Sequence, residues 1–86
     1  MKFVYVPIGD DVARIEVPNN IKYVSYRKAE FKGGRGPRSG RIGLSHWFTD
    51  RHDVTWHFVQ WTSRESALRE KRNGFEIARV DGTKIP

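Results

Sequence analysis

Apolar and polar residues alternate along most of this chain with a period of two, the signature of half-buried strands. Residues 2–8, KFVYVPI, form a short apolar run that reads as a strand, with Pro7 placing it at a sheet edge or at the strand's end. Gly9-Asp10-Asp11 signals a turn, and residues 12–17, VARIEV, then put Ala13, Ile15 and Val17 on one face and Arg14 and Glu16 on the other. Pro18-Asn19-Asn20 ends that strand, and the two segments are expected to pair as a hairpin. Residues 21–32, IKYVSYRKAEFK, alternate imperfectly: Val24 and Tyr26 interrupt the polar side, which leaves open a bulge or burial on both faces.

From Arg41 to Trp61, RIGLSHWF and VTWHFVQW flank Thr49-Asp50-Arg51-His52-Asp53, a polar loop of hairpin length. With Phe48 opposite Val54, one face receives Ile42, Leu44, His46, Phe48, Val54, Trp56 and Phe58. The other receives Arg41, Ser45, Trp47, Thr55, His57, Val59 and Trp61. The first set is more apolar and is the expected core face. Beyond Trp61 the period changes. Thr62-Ser63-Arg64-Glu65 fits a capping box, residues 63–72 are good helix formers, and Asn73-Gly74 ends the helix with a glycine suited to left-handed geometry. Only Ala67 and Leu68 give this helix an apolar side; FEIARV at 75–80 reads as a last strand before the Asp81-Gly82 turn.

The expected class is therefore α+β: a mostly antiparallel sheet or small partly closed barrel of about six strands, with one short helix near 63–72. Composition supports it. Val and Ile number fourteen against two Leu, which suits a pleated surface better than a helical bundle. Eighty-six residues without an internal repeat or a long linker make one domain. With no cysteine, disulfides and thiolate metal sites are excluded, and the fold stands on packing alone. No apolar run approaches the roughly 20 residues that span a bilayer. The start, MKFVYVPIGDD, is a poor signal peptide, so a soluble, cytoplasmic protein is expected.

Charge changes the picture when it is located. Residues 21–41 hold seven positives (Lys22, Arg27, Lys28, Lys32, Arg35, Arg38, Arg41) against Glu30, a local +6 that equals the net charge of the whole chain. The flanking segments sum to −1 and +1. Such localisation points to an anionic partner. Within the segment lies a flexible Gly/Arg loop at about 32–41, with Arg35, Arg38 and Arg41 at every third position. Its glycines let backbone amides approach an anion, and its guanidinium groups match phosphate geometry. It is neither a Walker loop nor GxGxxG: Gly34 and Gly40 are separated by five residues with Arg41 following, and Ser39 stands at the third glycine position. Nucleotide-triphosphate chemistry thus has no motif behind it.

Among aromatic residues, Trp47 beside this loop is a candidate base-stacking platform, while Trp61, directly before the helix, is assigned to packing. His46, His52 and His57 lack HExxH spacing and a shared face, so neither a metal centre nor an acid–base pair is expected. The serines lack a nucleophile-elbow context. GRIG at 40–43, followed by a strand and a helix ending in NGFEI at 73–77, faintly resembles the WGR domain of DNA-break-responsive enzymes over about half the chain. Ser39 replaces that family's defining tryptophan, and no residue role is carried over.

The reading is a small non-catalytic nucleic-acid-binding protein without cofactor. Lys28, Lys32, Arg35, Arg38 and Arg41 would contact phosphate, and Trp47 would stack on a base. The alternative is a small effector, of the kind a virus encodes against a host enzyme, that docks the same basic surface on an acidic patch of a protein.

Overall fold

A computed structural model describes residues 1–29, 40–42 and 45–86, with 40–42 described through their backbone pairing. The first two strands, β1 (Lys2–Ile8) and β2 (Asp11–Val17), pair antiparallel from Lys2↔Val17 to Ile8↔Asp11 as a separate two-stranded layer. Alternation does here what it predicts: Val4, Val6, Ile8, Ala13, Ile15 and Val17 are buried, and the residues between them point away. Because β1 has β2 as its one strand partner among the described residues, Pro7 sits in an edge strand as expected.

The second sheet contains β3 (Tyr23–Lys28), β4 (Gly40–Ile42), β5 (Ser45–Thr49), β6 (Thr55–Trp61), β7 (Glu76–Arg79) and β8 (Lys84–Ile85), in the order β4-β5-β6-β3-β7-β8. Its pairings are all antiparallel. It does not close: β4 and β8 are its two edges, so the barrel alternative gives way to open, layered sheets. The irregular pattern of 21–32 has a simple cause. β3 lies between β6 and β7 in unbroken register, and Val24, Ser25 and Tyr26 are all buried, so both faces of the strand are covered and no bulge is needed.

Two expectations for the central hairpin are corrected. The strand from Arg41 to Phe48 is in fact two strands, with β4 folding back on β5 as Gly40↔Trp47, Arg41↔His46 and Ile42↔Ser45. And Phe48 pairs with Trp56, two residues from the expected Val54. Asp50 explains the shift. Its amide donates to the Val54 carbonyl (2.9 Å), while one carboxylate oxygen accepts from the amides of His52 (2.9 Å) and Val54 (3.0 Å). The other oxygen accepts from the Trp56 indole (3.0 Å). The Asp53 amide closes a turn on the Asp50 carbonyl, and Asp53 itself takes φ 61°. The loop is thereby a three-residue hairpin connection with its last residue left-handed. A slip of two preserves parity, so His46, Phe48, Trp56 and Phe58 still share the core face.

Against that face packs the inner side of the β1–β2 hairpin. Val4, Val6, Ile8, Ala13, Ile15 and Val17 meet Ile21, Val24, Tyr26, Phe58 and Ala78, with Phe48, Trp56 and Val80 at the margin. Tyr26 stacks on Phe58 with ring centroids 5.6 Å apart. Burial, together with the Glu76 carboxylate, pushes the Tyr26 hydroxyl up to about 12. On this face the imidazole of His46 and the amide oxygen of Gln60, both buried, satisfy one another at 2.9 Å.

The opposite face is covered by α1 (Arg64–Arg69), continued by a 3-10 turn at Glu70–Asn73. Ser63, not Thr62, is the N-cap: its hydroxyl accepts from the Ser66 amide at 3.2 Å. Ala67 and Leu68 pack against Tyr23, Trp61, Ile77 and Ile85. Gly74, at φ 81°, ends the helix as expected. Among the described residues no helix is long and apolar enough to cross a membrane.

Two polar loops tie the hairpin layer to the sheet. The His52 imidazole contacts both Asp10 carboxylate oxygens (3.0 and 2.9 Å), the Arg51 amide donates to Asp11 (2.9 Å), and the Arg51 guanidinium donates to the Asp10 carbonyl. At the other end, the β7–β8 turn approaches β1 so closely that a Cβ on Gly82 would lie 2.6 Å from the Tyr5 carbonyl oxygen. Gly82 also has φ 88°, a conformation that L side chains rarely adopt.

Gly82→Ala should therefore lower stability by about 1–3 kcal/mol, read from urea unfolding, as backbone strain and the clash with β1 combine. Phe58, fully buried between the layers, should be more sensitive: Phe58→Ala is expected to cost about 3–5 kcal/mol in the same measurement.

Candidate nucleic-acid interface

The helix is short, and it packs on the far face of the sheet over Tyr23, Ile77, Ile85 and the Trp61 end of β6. Toward β5 the same face stays partly open. Strand register brings Trp47 (β5), His57 (β6) and Arg27 (β3) into one row across it, through the pairs Trp47↔His57 and Arg27↔His57. Trp47 and His57 are half-buried and stack with centroids 5.1 Å apart and planes 16° from parallel. Outside Trp47 the next residue in the row is Gly40, which supplies no side chain.

Each member of the row is held by something else. The Nε2 atom of His57 lies 3.0 Å from the Ser45 hydroxyl, and the ring meets Phe75 edge-on at 5.7 Å. The Arg27 guanidinium lies 4.4 Å from the Phe75 ring centroid and donates to the Asn73 carbonyl at 2.6 Å, yet the residue remains exposed. Behind it, Trp61 donates its indole N–H to the Ser25 hydroxyl (2.9 Å) and packs under the helix, the structural role expected of it. The result is a rigid aromatic–imidazole pair with a fixed guanidinium at its side. Burial, and then the Arg27 charge, hold the His57 imidazole below its ordinary value.

The sequence-predicted residues are distributed unevenly around this row. Trp47 is in it. Lys28 is exposed but pairs with Trp56, its ammonium 5.8 Å from that ring, so it belongs to the face that the hairpin covers. The backbone of Arg41 pairs with that of His46, one position along from the Gly40–Trp47 pair. Lys32, Arg35 and Arg38 lie outside the described residues. The segment containing them starts after Ala29, whose amide donates to the Thr55 carbonyl (2.9 Å), and rejoins the sheet at Gly40 beside Trp47. Arg27 and Phe75, which the structure brings to this row, were not among the candidates read from the sequence. Arg27 was visible as charge, but its place beside His57 depends on a β3–β6 register that no local pattern encodes.

The three histidines go to three separate places: His46 to Gln60, His52 to Asp10 and His57 to Trp47 and Ser45. Comparison with family models, with curated proteins and with solved structures finds no match to this chain.

The two surface histidines should titrate in opposite directions. Hydrogen bonding to Asp10 and its charge hold His52 above the ordinary value, and Asp10 is lowered in turn by His52. The stabilising contact of His52 is fully present below the unfolded imidazole value and is lost as pH rises through the raised folded value. His57 has the reverse sign: its lowered value makes the folded state bind fewer protons, so stability falls as pH drops below the unfolded imidazole value. NMR titration of the ring protons should place His52 above and His57 below about 6.5. Asp10→Asn should return His52, but not His57, toward that value.

Proposed function

We propose that this chain is a small, non-catalytic protein that binds single-stranded nucleic acid on the open sheet face. The observation that carries the reading is the Trp47–His57 stack with Arg27 beside it, at the place where the basic segment rejoins the sheet. A base stacks on the free side of Trp47, where Gly40 leaves room, and Arg27 contacts the neighbouring phosphate. A single strand is favoured because an aromatic platform in a flat sheet reaches splayed bases, not the stacked interior of a duplex. Lys32, Arg35, Arg38 and Arg41 add charge that neutralises further phosphates, while Lys28, on the hairpin-covered face, adds only to the long-range field that draws the strand in.

Binding of labelled single-stranded DNA and RNA should weaken with salt at a slope of roughly −0.7 per neutralised phosphate and be accompanied by quenching of Trp47 fluorescence. Trp47→Ala should cost about 1–3 kcal/mol of affinity with little change in the salt slope. The triple substitution Arg35→Ala, Arg38→Ala, Arg41→Ala should flatten the slope by up to about 2. No binding at low salt to either nucleic acid overturns the proposal in favour of the protein-docking effector. A nuclease-treated pull-down would then be expected to retain a stoichiometric protein partner.

A further inference from the structure

The outer face of the β1–β2 hairpin belongs neither to the core nor to the Trp47 row. It lies on the far side of the core from Trp47 and carries Phe3, Tyr5 and Pro7 along β1 and Val12, Arg14 and Glu16 along β2. Phe3, Tyr5 and Val12 are 50%, 53% and 49% exposed, a contiguous apolar patch on a surface otherwise rich in charge. Core burial does not require aromatic residues at those positions, since alternation would permit polar ones there.

The patch contains its own complement. Register pairs Phe3 with Glu16 and Tyr5 with Arg14. Consider a twofold axis parallel to the face, perpendicular to the strands and midway between those two pairs. Rotation about it lays β1 over β1 with the direction reversed, so Phe3 of one copy meets Tyr5 of the other. The same rotation sets Arg14 against Glu16 and brings Val12 over Pro18. One operation therefore matches aromatic to aromatic, apolar to apolar and cation to anion, each contact occurring twice as an isologous interface requires. The Arg14 guanidinium lies 4.9 Å from the Phe3 ring centroid, which keeps its charge over the patch and not off its rim. Arg14 and Glu16 also cancel, so this face offers no field to nucleic acid.

We infer that this chain self-associates as a twofold dimer through the outer face of its β1–β2 hairpin. A seven-residue strand is about 23 Å long, and two such strands present roughly 300–400 Å² per copy with their side chains. That is about half of the 800 Å² per partner of a standard stable interface. The dimer is accordingly a weak one, formed at high local concentration.

Sedimentation of the full chain from about 20 µM to about 1 mM should show the average mass rising toward twice the monomer value. Arg14→Glu and Glu16→Arg, each creating two like-charge contacts, should individually weaken association about tenfold. The double variant Arg14→Glu/Glu16→Arg restores both pairs and should recover wild-type association to within about threefold. Both positions are exposed, so the circular dichroism spectra of all three variants should match that of the wild type. Tyr5→Glu should abolish the dimer while leaving the fold intact. A monomer at every concentration, single charge variants that associate as well as the wild type, or a double variant that fails to recover would each overturn the inference.

Discussion

The structure depends on the position of β3, bonded to β6 on one side and β7 on the other and covered on both faces. A strand so placed needs two covers, and the chain supplies unequal ones. The β1–β2 hairpin brings six buried side chains to one face, whereas the helix brings mainly Ala67 and Leu68 to the other. The shorter cover stops before Trp47 of β5 and His57 of β6, which are left half-buried. The proposed binding row occupies the sheet area that the helix is too short to reach. Position of the site is thus a consequence of how the core is closed.

That open area is also preorganised. Trp47 could have collapsed over Gly40, its cross-strand neighbour, but it stacks on His57, which is oriented in turn by Ser45 and Phe75. Arg27 is restrained by Phe75 and by the Asn73 carbonyl at the end of the helix. Side chains already ordered in the free protein lose less rotamer freedom when a ligand arrives, so more of each contact remains as affinity. The helix therefore contributes to the site although it does not lie over it: the residues that end it hold Arg27 in place.

The parts of this arrangement legible in the sequence are those fixed by short-range pattern. The β1–β2 hairpin, its buried side and the edge position of Pro7 follow from period-two alternation and two turn signals. The faces of β5 and β6 were readable even though the pairing slid by two, since an even slip returns every side chain to its own side. What escaped was set by contacts distant in sequence. Whether RIGLSHWF continues or folds back cannot be read from its alternation, and the fold-back is what pairs Gly40 with Trp47. Arg27 entered the site only through the pairing of β3 with β6, and β8 is two residues long, too short to carry a period.

The two proposals constrain one another geometrically. The open sheet face and the outer hairpin face lie back to back, separated by the apolar core. A dimer joined hairpin to hairpin stacks four sheet layers, its two outer sheets about 30 Å apart (three intersheet spacings) and the two Trp47 rows, on their outward faces, farther apart still. Adjacent nucleotides cannot occupy both rows. Such a dimer would bridge two strands, or two distant segments of one strand, and the second contact would be strengthened by effective concentration without new interactions. The weakness of the hairpin interface then has a use, because association becomes appreciable where copies are already concentrated along the nucleic acid.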